Sequence, residues 1–284
     1  MSEPQIPGPA ALRIKLGATL RRLREARGIT AQQAAKAIRG SDSKISRIEL
    51  GRHAAREIDV VDLLALYGVT DPGERDELLA LASAALAAPW WQRHNDVLPA
   101  WMQTYLGLEE AAESVECYDT HFVPGLLQTS DYAASLIAMT DLTEHQAAGL
   151  LAVRAERIER FAAAGRRLDA VIDEAVLRRP VPDASVLPAQ LRYLRDAAAR
   201  PGVSVRIRRL SAGAPPAPAG FTILRFADAD LPDMVYSEQL TNASYLDKPA
   251  EVSRYAAAMS QLAATSEPAA RTAAILDAEL TALG

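Results

Sequence analysis

The sequence predicts two domains, an all-α N-terminal domain of five helices and an α+β C-terminal domain with a small, mostly antiparallel sheet. Apolar residues recur at helical spacing through residues 10–88, and short β-rich runs alternate with helical segments only after Pro89. The chain has 284 residues, of which 49% are hydrophobic, so it is long enough for two cores. The predicted divisions are a disordered tail at 1–9, a helical domain at 10–88 and an α+β domain at 89–284.

The composition argues against a secreted or membrane protein. Cys117 is the only cysteine, so an intrachain disulfide is impossible. No segment resembling a secretory signal opens the chain. The longest uncharged stretch, residues 78–92, is too short to span a bilayer and is rich in alanine. We therefore expect a cytoplasmic protein with no membrane partner.

Charge is distributed unevenly along the chain. Residues 10–56 contain twelve lysines and arginines and three acidic residues, a local charge of +9. The rest of the chain carries 19 basic and 33 acidic residues, a charge of −14. Together with the +9 of residues 10–56, this gives the net charge of −5. A basic segment in an otherwise acidic chain is typical of a DNA-binding domain joined to a domain with another role. A solvated, arginine-rich helix face would give the same distribution of charge.

Five helices are predicted in the basic domain. Leucines at helical spacing indicate a first helix over 12–27, which Gly28 ends. Thr30 is a suitable N-cap for a second helix over 31–38, and Ser41 for a third that runs to Glu49. A fourth helix ending near Gly68 and a fifth over 73–87 follow. Two short helices joined by a tight glycine-containing turn form a known DNA-reading unit.

The third helix has two faces on a helical wheel. Ile45 and Ile48 share one side, which predicts that they anchor the helix in the core. Ser43, Lys44 and Arg47 share the opposite side, where their donors match guanine or phosphate acceptors in a major groove. Asp42 could accept a bond from cytosine, but we favour its electrostatic role at the helix N-terminus. The predicted DNA-contacting residues are Thr30, Gln33, Ser41, Asp42, Ser43, Lys44, Arg47 and Arg52.

The stretches RLREARGIT and SDSKISRIELGR resemble the helix-turn-helix of the xenobiotic-response-element, or Cro/C1-type, family. The resemblance implies that Ser41 caps the recognition helix and that the residues after it approach bases. It also implies a structural ion pair between Arg24 and Glu49. The family usually has glycine where this chain has Arg39, so either the turn shifts to Gly40 or Arg39 is strained.

The C-terminal domain alternates helical and extended patterns. Helices are predicted over 100–110, 130–139, 144–164, 187–200 and 250–264, with another near the C-terminus. Strands are predicted over 114–120, 168–172, 203–207, 222–226, 233–236 and 244–246. The loop at 211–220 has three prolines and is either a lid over a pocket or, more commonly, a stiff connection.

Three tryptophans, Trp90, Trp91 and Trp101, lie within twelve residues at the predicted domain boundary. They could form a platform for a small-molecule ligand. We favour the alternative that they pack between the two domains, because large aromatic rings carry much of the burial in cores and interfaces.

Five segments of the C-terminal half occur in an order that is similar to one family. They are WWQRHNDVLPAW, TYLGLE, VPGLLQT, DEAVLRRPV and DMVYSEQLTNASYLDKP. These segments resemble the C-terminal domain, of unknown function, of Scr-type antitoxin-like regulators of actinomycete bacteria. The resemblance implies transcription regulation and often a small partner protein encoded by a neighbouring gene.

The chemistry of an enzyme is missing from the sequence. It has neither a phosphate-binding loop, a dinucleotide fingerprint nor a G-x-S-x-G elbow. Cys117 and His121 only weakly indicate a metal site, because they are two potential ligands with no further cysteine nearby to complete the set. Asp173 and Glu174 fit the end of a strand and the start of a helix. We therefore expect neither catalysis, a metal nor a cofactor.

Three functions remain open at this point. The first is a homodimeric regulator that binds operator DNA through the helix beginning at Ser41 and receives a signal in its C-terminal domain. The second is an antitoxin-like protein that binds a small protein partner through the acidic domain. The third is a small-molecule sensor, which needs an apolar pocket near the tryptophans and the proline-rich loop.

Overall fold

The computed structural model describes residues 8–228 and 231–283 and divides into two compact units. The first unit comprises Met1–Asn95, Pro99–Ala112 and Phe226–Pro232, and the second comprises the remaining segments. Of the predicted disordered tail at 1–9, residues 1–7 lie outside the described residues, and Pro9 already opens the first helix.

The five predicted N-terminal helices are confirmed in the first unit, and a sixth helix joins them. They are α1 (Pro9–Ala26), α2 (Ala31–Ala37), α3 (Asp42–Glu49), α4 (Glu57–Leu66), α5 (Pro72–Ala84) and α6 (Ala100–Ala111). Proline occupies a first-turn position in α1 and α5, where its missing N–H costs nothing. Asp71 caps α5 by accepting a bond from the Glu74 amide at 2.8 Å.

One apolar core holds the first five helices together. Its largest fully buried side chains include Leu16, Leu20, Ile45, Ile48, Leu63, Leu64 and Tyr67. Gly17 allows α1 and α3 to approach closely, since a Cβ there would lie 2.3 Å from the Ile48 carbonyl oxygen. Any larger residue at position 17 would therefore push α3 away from α1.

The compact units do not follow the predicted boundary between residues 88 and 89. Helix α6 packs against α1 within the first unit, where a Cβ on Gly107 would lie 2.9 Å from the Ala10 Cβ. The short segment Phe226–Pro232 also belongs there, and Lys15 pairs with Asp228 at 2.6 Å. Contacts over long sequence separations of this kind leave no signal in local composition.

The second unit contains six strands and six helices among the described residues. The strands are β1 (Ser114–Asp119), β2 (Arg167–Asp173), β3 (Val203–Arg208), β4 (Phe221–Arg225), β5 (Met234–Glu238) and β6 (Ala243–Leu246). The helices are α7 (Ser130–Ile137), α8 (Glu144–Ala163), α9 (Glu174–Leu177), α10 (Val186–Ala197), α11 (Pro249–Thr265) and α12 (Thr272–Leu283). Each predicted strand is present to within two residues at either end.

The expectation of a small, mostly antiparallel sheet is wrong. The six strands form one mixed sheet in the order β3-β2-β1-β4-β5-β6. Strand β2 runs parallel to both β1 and β3, whereas the β1–β4, β4–β5 and β5–β6 pairs are antiparallel. The reason lies in the connections: helices link β1 to β2 and β2 to β3, and parallel neighbours need such crossovers.

One face of the sheet is covered by α11. Tyr118, Val171, Ile223 and Val235 on the strands share a buried cluster with Val252, Met259 and Leu262 on that helix. Ala217, in the middle of the proline-rich loop, is buried in the same cluster. Arg208 also holds this loop, since its Nη2 donates to the Ala212 and Ala214 carbonyls at 3.2 Å. The loop is thus an anchored connection between β3 and β4.

Candidate nucleic-acid interface

Helix α2 begins at a reciprocal capping box. The Thr30 hydroxyl accepts from the Gln33 amide at 3.2 Å, and the Thr30 amide donates to Gln33 Oε1 at 2.8 Å. Both residues are exposed. Their side chains therefore stabilise the start of α2, and their predicted contact with DNA stays a prediction.

The turn between α2 and α3 departs from the usual glycine pattern. Arg39 has φ +52°, and among the described residues it is the one non-glycine with positive φ. The amide of Gly40 then donates to the Ala35 carbonyl at 2.8 Å and closes the turn. Of the two alternatives drawn from the sequence, strain at Arg39 is the one that occurs.

Helix α3 separates its apolar and polar residues as the wheel predicts. Ile45 and Ile48 are buried in the core of the first unit. Ser41 caps the helix by accepting from the Lys44 amide at 3.2 Å. The exposed residues of this region include Ser41, Asp42, Ser43, Arg47 and Arg52.

Arg47 is the residue best prepared to meet a ligand on this face. Among the described residues, its guanidinium has neither a hydrogen bond nor an ion pair. It lies one helical turn from Ser43, so the two donors point the same way from α3. A guanidinium and a hydroxyl in this arrangement match base edges or phosphate oxygens.

The helical wheel predicts that Lys44 points outward with Ser43 and Arg47. The structure corrects this prediction, because the Lys44 side chain is held in an ion pair. Its Nζ pairs with Asp59 Oδ2 at 2.8 Å, and its side chain is 20% exposed. Arg56 binds the same carboxylate through both oxygens, at 2.8 and 3.0 Å. The pKa of Asp59 is lowered, and the hydrogen bonds from Arg56 are the largest cause. The hydrogen bond and charge of Lys44 lower it further.

Asp59 is not predicted from the sequence as part of this region, because its partner Lys44 lies fifteen residues away in the chain. The sequence signal for Asp59 is that it is an acidic residue in the first turn of α4. An acidic residue there is already expected from its favourable interaction with the helix dipole, so it does not indicate an ion pair. The buried carboxylate holds Lys44 towards α4, so α3 is fastened at its start by an ion pair as well as by its cap.

The end of α3 is fastened by a second ion pair. Arg24 binds Glu49 through two hydrogen bonds, Nε to Oε1 at 2.6 Å and Nη2 to Oε2 at 2.9 Å. The side chains are 12% and 8% exposed, and the Glu49 hydrogen bond raises the pKa of Arg24. Arg24 also donates to the Ile29 carbonyl at 2.9 Å, which ties the α1–α2 turn to α3. A bidentate pair of this kind fixes geometry more than it adds stability.

The three tryptophans all belong to the first unit. Trp91 is buried, and Trp90 meets it edge-on with ring centroids 5.4 Å apart. A Cβ on Gly107 would lie 3.6 Å from the Trp91 ring, so this ring packs beside α6. Trp101, on α6, is partly exposed. Trp91 therefore has a packing role within this unit.

The remaining weak signals do not assemble into a metal site among the described residues, where no group of three or more potential ligands is placed to hold an ion. Cys117 is buried, with its thiol donating to Asp119, and burial raises the thiol pKa well above its usual value. His121 is exposed. In the part of the chain that the structure describes, every helix is too short or too polar to cross a membrane.

Comparison with known families matches both parts of the chain. Residues 15–78 match a family described as Helix-turn-helix domain; the match runs from within α1 to the middle of α5 and indicates a DNA-binding regulator. Residues 102–278 match a family described as Domain of unknown function (DUF5753), and this match covers most of the second unit together with part of α6. Neither a curated protein nor a solved structure matches the chain. Since the second match spans more than half of its residues, the chain belongs to the DUF5753 family, here with a helix-turn-helix domain at its N-terminal side.

Proposed function

We propose that this protein is a sequence-specific transcriptional regulator of the Cro/C1 type that inserts α3 into the major groove of operator DNA. The observation that carries the proposal is Arg47, an exposed guanidinium without a partner among the described residues, one turn from Ser43. Two ion pairs, at Lys44 and at Glu49, fasten the helix beneath these side chains. Rigid support of this kind favours a reading surface over a merely solvated one.

The charge of the N-terminal region supports the same proposal. A local charge of +9 over residues 10–56 attracts the phosphate backbone and releases counterions on binding. Phosphate contacts fix the position of the protein on the duplex, and α3 then supplies the contacts that depend on sequence. Arg56, 66% exposed beside the buried Asp59, is a further cation on this side of the core.

The test starts from an operator selected from random duplexes with the full-length protein. Arg47→Ala is expected to weaken binding by about 1–3 kcal/mol in a titration at fixed salt, because it removes a base contact. Arg192→Ala removes the same charge from an exposed position on α10 and serves as the matched control. Equal affinities for the Arg47 and Arg192 variants would contradict the proposal.

We further propose that the protein acts as a homodimer and that its second unit receives the regulatory signal. A helical domain of this size covers one half-site, and such domains read two half-sites about 34 Å apart as a dimer. Light scattering of the free protein measures its oligomeric state, and footprinting on the selected operator measures whether one or two half-sites are protected. A monomer that protects a single half-site would contradict it.

An antitoxin-like role is the second candidate. It is supported by the −14 charge outside residues 10–56, which suits a basic protein partner. Co-purification with the product of an adjacent gene would support this role, and the absence of a complex at micromolar concentration would oppose it. Both roles are those of a cytoplasmic binding protein rather than of an enzyme.

A further inference from the structure

Helices α1 to α4 end in the same backbone arrangement. In each, the residue that follows the C-cap has positive φ, and the amide of the next residue donates back to the last turn of the helix. Those bonds are Ile29 to the Arg24 carbonyl at 3.1 Å, Gly40 to Ala35 at 2.8 Å, Arg52 to Arg47 at 2.8 Å and Val69 to Leu64 at 3.0 Å. This is the Schellman motif, in which glycine is the usual residue at the positive-φ position because it has no Cβ.

Glycine fills this position at three of the four helix ends. Gly28 follows α1, Gly51 follows α3 and Gly68 follows α4, with φ of +65°, +66° and +70°. Arg39 follows α2, with φ +52°. An L side chain is strained in this conformation, and asparagine and aspartate tolerate it because their short side chains hydrogen-bond locally. The end of α2 therefore contains strain that the other three ends avoid.

The neighbouring glycine does not relieve this strain. Gly40 does not have a positive φ. A Cβ on Gly40 would lie 3.1 Å from Lys44 Cδ and 3.3 Å from Ile38 Cγ1, so this glycine allows close packing at the start of α3. Position 40 thus requires space, whereas position 39 requires a left-handed backbone. A glycine at position 39 would adopt that backbone without strain, yet the chain has arginine there.

The Arg39 side chain does not compensate the strain of its backbone. It is exposed, and among the described residues its guanidinium has neither a hydrogen bond nor an ion pair. An exposed and unpaired side chain stabilises the turn neither by packing nor by charge. Backbone strain that the fold itself does not require is characteristic of functional sites, where it holds a side chain in the position that the function needs.

Arg39 lies immediately before the helix that is proposed to read DNA. Ser41, the N-cap of α3, is two residues further on, so the two Cα atoms are at most about 7 Å apart. In helix-turn-helix proteins the recognition helix lies in the major groove with its N-terminal residues at the base edges, and the helix before it crosses the phosphate backbone. The turn between these helices therefore approaches the backbone at the edge of the groove, and Arg39 is the one cation in residues 38–41.

We propose that Arg39 binds a phosphate oxygen of the DNA backbone at the edge of the major groove that α3 enters. This inference rests on the proposed DNA binding and adds a phosphate contact to the base contact assigned to Arg47. A phosphate is the expected target because Arg39 precedes the N-cap and so lies outside the helix that enters the groove. A guanidinium matches phosphate oxygens with two parallel hydrogen bonds, and the strained backbone fixes the direction in which the side chain leaves the turn.

The experiment measures the affinity of the full-length protein for the selected operator between about 50 and 200 mM salt. Arg39→Ala is expected to weaken binding about tenfold, because it removes a charge-assisted hydrogen bond. The slope of log affinity against log salt should become shallower by about 0.9, since one phosphate is no longer neutralised. An unrelated duplex of the same length should show the same change, because a phosphate contact carries no sequence information.

Arg39→Gly is the sharpest variant, because its two expected effects have opposite signs. It should raise the thermal midpoint of the free protein, since glycine adopts the turn without strain, and lower DNA affinity as much as Arg39→Ala. Arg39→Lys keeps the charge without the planar fork, so it should keep the wild-type salt slope and lose part of the affinity. Arg192→Ala removes an exposed charge from α10 and is the control, with unchanged affinity and slope.

Three outcomes would overturn this inference alone, provided that Arg47→Ala weakens binding. They are unchanged affinity in both Arg39→Ala and Arg39→Gly, a loss confined to the selected operator with an unchanged salt slope, and an equal loss in Arg192→Ala. A loss confined to the operator would make Arg39 a base contact. A wild-type protein that binds no duplex would overturn the proposed function, and this inference with it, so the two failures are distinguishable.

Discussion

Arg24 in the first unit and Arg154 in the second both lie on the inner side of a long helix, yet their surroundings differ. Arg24 donates two hydrogen bonds to the buried carboxylate of Glu49, whereas Arg154 donates to the amide oxygen of Gln128 and, among the described residues, to no carboxylate. The second unit does pair Arg225, which binds Glu116 and Asp233 at 2.7–3.2 Å. A buried carboxylate thus holds Arg24 in place, whereas a neutral amide holds Arg154.

Exposure adds a second contrast within α3. Arg47 is exposed and without a partner among the described residues, and Lys44, three residues earlier, is tied to Asp59. Burial and pairing thus distinguish Lys44, which supports the helix, from Arg47, the proposed base contact. The following four variants test the two ion pairs of α3, a buried carboxyl group of the second unit and the strained turn before α3, beginning with the largest expected effect.

Glu49→Gln is expected to lower the free energy of unfolding by about 3 kcal/mol, because it leaves Arg24 partly buried without its counter-ion. Glu25→Gln is the matched control, since Glu25 contacts the same arginine at 3.4 Å but is 55% exposed. That control should cost no more than about 0.5 kcal/mol. Denaturant titration measures both, and equal losses would show that the Arg24–Glu49 pair has no structural role.

Asp119→Asn tests the buried carboxyl group at the end of β1. Burial raises its pKa in the folded protein to about 7, above the ordinary 3.8, so its contribution to stability is full below pH 3.8 and is lost as the pH rises through 7. Arg157, Glu238 and Cys117 are the titratable groups that act on it, and the Cys117 hydrogen bond opposes the shift.

We therefore expect Asp119→Asn to be more stable than wild type by about 2 kcal/mol at about pH 8, after allowance for partial exposure. The difference should shrink as the pH falls towards 4. Asp169→Asn, an exposed carboxyl residue on the neighbouring strand β2, is the control. A gain that is independent of pH would mean that burial of the Asp119 charge is not the cause.

Lys44→Met is expected to cost about 1 kcal/mol of stability, since Asp59 keeps its two bonds to Arg56. Operator affinity should fall less than in Arg47→Ala, because Lys44 is held away from the exposed face. Chemical denaturation and a salt-controlled titration measure the two effects. A loss of affinity as large as that of Arg47→Ala would instead mean that Lys44 leaves Asp59 and contacts the DNA.

Arg39→Gly has the smallest expected effect, a stabilisation of about 0.5–1 kcal/mol, because glycine adopts φ +52° without strain. Arg39→Ala removes the same charge but keeps the backbone penalty, and it should not stabilise the protein. Thermal unfolding of both variants separates backbone strain from charge. Equal midpoints would contradict strain at this turn.

Local patterns were sufficient to predict the elements themselves. The capping residues Thr30 and Ser41, the isoleucines of α3 and all six strands were identified from spacing and residue type. These features depend on neighbours within about one turn or one strand, so a single sequence contains them. The parallel pairing of β2 was missed, although the helices on either side of it indicated crossovers.

The candidate sites were predicted less completely. The Arg24–Glu49 pair came from a resemblance to a family, and the Lys44–Asp59 pair was not anticipated. The neutral environment of Arg154 was also missed, because Gln128 is twenty-six residues away and an arginine on an amphipathic helix ordinarily faces solvent. Such contacts depend on which helix faces meet, and helical periodicity does not specify the partner.

The sequence by itself determined the helices and strands, the basic character of residues 10–56 and the outward position of Arg47, because each follows from residue type and spacing along the chain. Only the tertiary structure decided that the sheet is mixed, that Lys44 is tied to a buried carboxylate and that Arg154 donates to the neutral amide of Gln128. The physical reason is that a charge is compensated by whatever lies near it in space, and folding brings together residues that are far apart in the chain.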